Sequence, residues 1–472
     1  MLLAMGPNLR WSATSVNLSL HFTMLFLFYI TWQPRGARYG IVETRPVTLW
    51  FRVPREIPRL MQRPLLRDAF LDPATYARTR LPVDHATSLI PDAYTSEDFH
   101  ALERERLFRQ NWVPVCLAGE LAEPGDLRVV EVAGQSIILC RTPAGELKAH
   151  HNVCRHRGAR LCETGTKAER LIRCPYHGWA YDLDGNCRAA PHFAASMLAG
   201  DAAFERADMA LHPVRVATWA FLVFVCLDDA APDLGTTLGD LPARLSGYPL
   251  DEFQVSRRRD YRVEANWKLV AENFVEYYHL PLVHPSLLPV SPVDAHYRWQ
   301  GDGKYAGLCT WPVGSDTSEG GWRGLPAAPG VRGSDAQAAR FAWIFPTVGI
   351  SVTANHVFTL IARPDSAGVT TETAYLLTHP ASIARSSDAE ADTDALMHFW
   401  DVINREDIAI VERTQAGMRS LAYTGGRMCH RFEEPSHRLQ NMVIDAVLGI
   451  ARVPAGDDPE IARRFGPPGT LA

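Results

Sequence analysis

This chain has no glycine-rich dinucleotide loop. Gly301-Asp302-Gly303 stands outside any strand–turn–helix context and is not a fingerprint. There is no excess of basic charge. Lys and Arg total 48 against 53 Asp and Glu, a formal net charge of −5, so nothing favours nucleic acid as a partner. A disulfide framework is also missing. Nine cysteines is an odd count. Seven of them, at 116, 140, 162, 187, 226, 309 and 429, are scattered, often in apolar runs such as 221–227. They read as buried thiols of a reducing compartment, and a cytoplasmic location is expected. No apolar run is comfortably membrane-length. Residues 16–32 make 17 positions, broken by Asn17, Ser19, His21 and Thr23, at or below the lower limit for a span. Residues 1–42 lack Asp and Glu altogether, and arginines follow at 35, 38, 45, 52, 55, 59, 63 and 67. Three readings of this segment compete: a targeting segment, a membrane anchor, or sequence upstream of the true start. We expect residues 1–85 to be a dispensable extension. There is no internal repeat and no low-complexity tract.

What is present is concentrated in two short motifs. Cys154-Arg155-His156 and Cys174-Pro175-Tyr176-His177 form the pattern C-x-H-x17-C-x2-H. Two thiolates and two imidazoles, one of each per loop, suit a Rieske [2Fe–2S] cluster, in which cysteines hold one iron and histidines the other. A Cys2His2 zinc site has the same ligand count. However, zinc fingers pair cysteine with cysteine and histidine with histidine, whereas each loop here mixes the two.

Around these loops, residues 112–231 alternate β-rich runs with turns. Strand candidates are 129–132, 136–140 and 218–226, punctuated by Ala133-Gly134 and Asp182-Leu183-Asp184-Gly185. Before them, Thr95 or Ser96 can cap a helix with acids in its first turn. A boundary is expected near 230–235. Beyond it, helices near 264–280 and 387–421 flank strand-like runs at 340–345, 348–353, 356–362 and 370–378, the pattern of an α+β domain.

On the helix from Glu264, the residues Glu272, Glu276 and His279 are spaced to share one face. His284 lies five beyond His279, and the intervening Pro281 should kink the helix and let His284 swing back. Two imidazoles plus one carboxylate would make the facial triad of a non-haem Fe(II) site. Without it, the two are ordinary helix-end histidines.

These residues bring out a family likeness. From about 86 to 455 the chain resembles the α subunit of Rieske non-haem iron oxygenases. The likeness rests on His151-Asn-Val-Cys-Arg-His-Arg-Gly158, Cys174-Pro-Tyr-His-Gly-Trp179, Asn266-Trp267-Lys268, Glu272-Asn273 and Tyr278-His279…His284. It implies an all-β Rieske [2Fe–2S] domain followed by a helix-grip-like antiparallel-sheet catalytic domain. The expected divisions are 86–235 for an opening helix plus cluster domain, 236–460 for the catalytic domain and 461–472 for a tail. Cys154, His156, Cys174 and His177 would hold the cluster, and His279 and His284 the mononuclear iron. Asp407 matches the third ligand position, against Asp401, Glu406 and Glu412. Asn273 and Glu276 are the catalytic candidates. Glu276 stands where the family usually has Asp, and would link His279 to a cluster histidine, His177, of a neighbouring subunit in a homotrimer.

Glu at that place resembles the branch acting on choline, carnitine and glycine betaine. Tyr297, Trp299, Tyr305, Trp311, Phe341, Trp343 and Phe345 could cage a trimethylammonium group, stack on an aromatic substrate, or fill the core. The implied reaction uses O2 and a small organic substrate. Its electrons come from NAD(P)H only indirectly, through a separate flavin/iron–sulfur reductase. Monooxygenation of a quaternary ammonium compound is the leading expectation. The alternatives are a dioxygenase or demethylase acting on an aromatic compound, or a non-catalytic electron carrier with two irons per chain instead of three.

Overall fold

The computed structural model describes residues 65–453 apart from 166, 168–169, 193–205, 312 and 314–323. The apolar stretch at 16–32 and the tail at 461–472 lie outside the described residues. Among the described residues no helix is long and apolar enough to cross a membrane.

Strands β1 (Val113–Leu117), β2 (Leu127–Val132), β3 (Gln135–Arg141), β4 (Leu147–His151), β8 (Pro213–Trp219) and β9 (Leu222–Cys226) form a six-stranded sheet, order β1-β9-β8-β4-β3-β2. Three short strands, β5 (Leu171–Arg173), β6 (Ala180–Asp182) and β7 (Cys187–Ala189), make a second small sheet that carries the cluster loops. The run at 218–226 is not one strand. It spans the end of β8, the turn at Ala220-Phe221 and the whole of β9, with Ala220 at φ +48°. No Gly, Asn or Pro marks that turn, so the apolar run reads as continuous.

The larger sheet is seven-stranded and antiparallel, order β10-β16-β15-β14-β13-β12-β11. Its strands are β10 (Gln254–Val263), β11 (His296–Arg298), β12 (Tyr305–Thr310), β13 (Ala339–Ile344), β14 (Val348–Val352), β15 (His356–Ser366) and β16 (Val369–Thr378). The four strand runs expected in this region are present. Helix α1 (Glu97–Leu102) is capped by Ser96, whose hydroxyl accepts from the Phe99 N–H. Asn266 caps α2 (Trp267–Phe274) in the same way, through Lys268 N at 3.0 Å. Then come the short α3 (Leu280–Val283), the 30-residue α4 (Ala389–Met418) and α5 (Glu434–Leu448). Helix α4 lies on the sheet through Trp400, which stacks on Phe358 with centroids 4.6 Å apart.

Two expectations about local structure need correction. Helix α2 stops at Phe274, so Glu276 and His279 are not on it. Glu272 is on α2 but points into the core, accepting from Tyr94 Oη at 2.6 Å and Gln440 Nε2 at 2.9 Å. Pro281 does not kink a long helix either. It sits in the first turn of α3, where its missing N–H costs nothing, and His279 is the residue before that helix.

Residues 65–85, expected to lie in a dispensable extension, here pack on the core. Phe70 and Tyr76 are fully buried in the main core, and Arg80 pairs with Asp445 of α5. Residues 65–85 belong to the folded body.

Candidate active site

The two cluster loops are built alike. In each, the Cys N–H donates to the carbonyl five residues on: Cys154 to Ala159 at 2.8 Å, Cys174 to Trp179 at 2.7 Å. In each, a glycine four residues on returns its N–H to the Cys carbonyl, at 3.0 Å for Gly158 and 3.1 Å for Gly178. These glycines have φ of +73° and +71°, a conformation that costs other residues about 1–2 kcal/mol. Cys154 and Cys174 are buried, whereas His177 is exposed and His156 partly so. The thiolate end therefore faces protein and the imidazole end faces outward. His156 stacks flat on Trp179 at 5.0 Å, and the His156 and His177 rings are 4.8 Å apart. Tyr181 Oη accepts from Arg155 N at 3.1 Å and so has its proton to give Cys154 Sγ at 3.3 Å. Hydrogen bonds to sulfur are one lever on a cluster's potential. No sequence signal singled out Tyr181.

A tetrahedral zinc, with bonds of about 2.0–2.3 Å, would draw its four donors to within about 4 Å of one another. Among the described residues, the only His, Cys, Asp and Glu donors that close to within 4.8 Å in a group of three or more are those of His279, His284 and Asp407. The four loop donors, two buried thiols and two outward imidazoles, do not form such a group. They fit a two-iron cluster.

The second donor group comes from two elements. His279 and His284 flank α3, and Asp407 projects from α4. Asp407 Oδ1 lies 2.8 Å from His284 Nε2 and 3.5 Å from His279 Nε2. The outer nitrogens are each held by a carboxylate. Glu276 accepts from His279 Nδ1, and Glu406 lies 2.7 Å from His284 Nδ1. Burial works against charging either ring, but Glu276 and Asp407 at His279, and Asp407 and Glu406 at His284, hold both imidazoles above their usual range. Such outer carboxylates fix the tautomer that turns Nε2 toward a metal. Two imidazoles, one carboxylate and an adjoining cavity are the donor set of an iron site with positions left open.

The rival acids are engaged elsewhere. Asp401 binds Arg259, Arg405 and the Tyr261 hydroxyl, and despite its burial these hold its carboxyl down at about 2. Glu412 accepts from Glu264 N at 2.9 Å. Glu406, weighed only as a ligand in the sequence, instead grips a histidine from behind.

The cavity beside this group is lined by Asn273, Phe274, Tyr277, Phe341, Phe358, Phe399 and Trp400, among others. Of the seven aromatic residues considered from the sequence, only Phe341 lines it. Trp299, Tyr305 and Trp343 are core residues, and Phe345 and Tyr297 pack with them. Asn404 also lines the cavity and donates to buried Glu372 at 2.9 Å.

Comparison with known proteins agrees with this geometry. Residues 111–212 match the Rieske [2Fe-2S] domain, and residues 250–449 match the ring hydroxylating alpha subunit (catalytic domain). The chain belongs to the Rieske non-haem iron oxygenases. It is 29% identical over 345 residues to the carnitine monooxygenase oxygenase subunit of Escherichia coli K12, covering 70% of this chain and 84% of that one. It is 25% identical over 385 residues to the glycine betaine monooxygenase oxygenase subunit of Pseudomonas aeruginosa PAO1, covering 74% and 86%. A solved quaternary ammonium Rieske monooxygenase in complex with L-carnitine superposes with a TM-score of 0.64 at 23% identity, over 82% of this chain and 99% of that one. This Rieske oxygenase therefore carries a [2Fe–2S] cluster and a mononuclear iron, and it is the oxygenase part of a system that draws electrons from a reductase. The reading as a pure electron carrier is set aside, because a catalytic domain with its own three-donor group is present.

Proposed function

We propose that this oxygenase hydroxylates a quaternary ammonium compound, with one oxygen atom of O2 going into a C–H bond. The observation that carries the reading is the cavity wall: six aromatic side chains beside the His279–His284–Asp407 group. Aromatic faces attract a trimethylammonium group, by about 0.5–2 kcal/mol each depending on desolvation. The curated relatives named above act on carnitine and glycine betaine, which supports the same class.

In this reading His279, His284 and Asp407 hold the iron, and Cys154, His156, Cys174 and His177 hold the cluster. When bound, these groups supply O2 activation and single electrons respectively. The protein's own contribution is geometric. Glu276 and Glu406 retain the Nδ1 protons of the two histidines and so aim Nε2 inward. The aromatic wall excludes water and orients the cation, and Asn273 and Asn404 offer amide groups to the cavity. Glu276 also has lone pairs left for His177 of the partner subunit in a head-to-tail homotrimer. Exposed apolar side chains at both ends support such a contact: Tyr176 beside the cluster is 59% exposed, and Tyr278 and Leu282 beside the iron site are 58% and 90% exposed.

The test is O2 uptake by the reconstituted holoprotein with a surrogate reductase. Carnitine, choline or glycine betaine should stimulate uptake with stoichiometric hydroxylated product. Turnover of benzoate or another aromatic compound, with none of an ammonium compound, would overturn the substrate assignment.

A further inference from the structure

The cavity wall carries a second polar cluster, apart from the iron-site residues. Ser291 and His296 both line the cavity, and Thr310 of β12 stands fully buried behind them. His296 Nε2 lies 2.9 Å from Thr310 Oγ1 and 3.0 Å from Ser291 Oγ, and the two hydroxyls are 3.2 Å apart. The other ring nitrogen, Nδ1, is 2.9 Å from the Pro292 carbonyl oxygen. A carbonyl only accepts, so Nδ1 carries the proton. Tyr277 stacks on the ring at 5.0 Å, and burial pushes its pKa down to about 4. The imidazole is therefore neutral near pH 7, and Nε2 is an acceptor with a single in-plane lone pair.

Two hydroxyls face one lone pair, and one proton satisfies it. Thr310 is the closer of the two, and it is fully buried with no cavity to turn toward. Among the described residues, neither hydroxyl has a side-chain or backbone partner outside this triangle. The remaining proton, on Ser291, has only the long 3.2 Å contact to Thr310 or the cavity itself. A buried donor left without a good acceptor costs about 1–3 kcal/mol, which a ligand acceptor recovers.

We propose that Ser291 is a substrate-binding donor, with Thr310 committing its own proton to His296 and leaving the Ser291 proton for an oxygen acceptor on the substrate. The substrate class narrows accordingly: a quaternary ammonium compound that also bears a hydroxyl or carboxylate oxygen. This inference rests on the proposed function, and it adds a polar anchor to the aromatic wall.

The experiment compares choline, glycine betaine and carnitine with n-propyltrimethylammonium, which keeps the cation and lacks the oxygen. The holoprotein should use an oxygen-bearing compound at the lower KM. Ser291→Ala should raise that KM about tenfold, with kcat and the n-propyltrimethylammonium KM nearly unchanged. Ser291→Thr should restore it. Thr310→Val should reproduce the Ser291→Ala effect although Thr310 does not reach the cavity, because His296 must then take its proton from Ser291. A merely structural role would shift all substrates together. Should Ser291→Ala fail to accumulate, Thr310→Val carries the same test. Equal changes for both substrate classes, or an unchanged KM in Thr310→Val, would overturn the inference while leaving the proposed function standing. Oxidation of no ammonium compound by the parent protein would overturn both.

Discussion

Two carboxylates, side by side on α4, do different work: Asp407 meets the imidazole Nε2 atoms and Glu406 grips one Nδ1 from behind. Asp407→Ala should therefore lose the mononuclear iron while the visible cluster absorption persists. Asp401→Asn should keep three irons per chain and lose only stability, since Asp401 is tied to Arg259 and Arg405. Iron analysis of both variants separates the two roles, and loss of iron in Asp401→Asn would reverse the assignment. Glu276→Gln should leave both centres loaded and lower turnover by about 10–100-fold or more, as loss of such outer partners does. Normal turnover in that variant would remove Glu276 from the proposed link between subunits.

A third carboxylate reports on pH. Burial pushes the Glu372 carboxyl up to about 7. A raised folded-state pKa means the folded protein holds the proton more tightly than the unfolded chain. The stability that Glu372 contributes is thus fully present below about pH 4.5 and is lost as pH rises through about 7. Glu372→Gln should match the parent in melting temperature at pH 5 and exceed it at pH 8, and an identical gap at both pH values would contradict this.

The histidines and cysteines were legible because their spacing is local. Glu406 as an outer partner was not. Adjacent helix residues point about 100° apart, and only the path of the chain around α3 brings His284 between both. Ser291, His296 and Tyr181 carry no motif, since their roles arise from contacts between separate elements.

At the scale of elements, α2 is positioned by a charge placed where charges are rare. Lys268 is 1% exposed, its Nζ 2.6 Å from Glu103 Oε1, with Tyr94, Phe99 and Trp267 rings 5.2–5.5 Å away. Lys268→Met leaves Glu103 buried without its cation and should cost about 3–5 kcal/mol. Lys268→Met with Glu103→Leu should recover much of that in a denaturant titration. No recovery would mean the pair does more than neutralise itself. The four catalytic-sheet strands were readable from alternation and length. The end of α2 was not, because Val275-Glu276-Tyr277-Tyr278 contains no breaker and the chain leaves the helix to bring His279 to Asp407. The β8–β9 turn was missed for the same reason.

At the scale of the whole molecule, the segment at 65–85 decides how much of the N-terminal region can be removed. A protein starting at residue 65 should fold and retain its cluster absorption. One starting at residue 86 loses Phe70 and Tyr76 from the core, and aromatic deletions of that kind cost about 3–5 kcal/mol each. It should be insoluble or melt far lower. Equal stability of the two proteins would show the packing to be incidental.

The clasp between residues 79–89 and α5 also sets a timetable. Arg80 reaches Asp445 across 365 positions, Leu89 N reaches Gln440, and Thr79 O reaches His437. A ribosome delivers residues 65–89 long before α5, so Phe70 can meet Phe99 of α1 early while the α5 side of this packing is missing through nearly the whole of synthesis. The packing of residues 79–89 is completed only when α5 emerges. A chain stopped ahead of α5 should leave the apolar surface that α5 covers unburied, a target for chaperones and proteases.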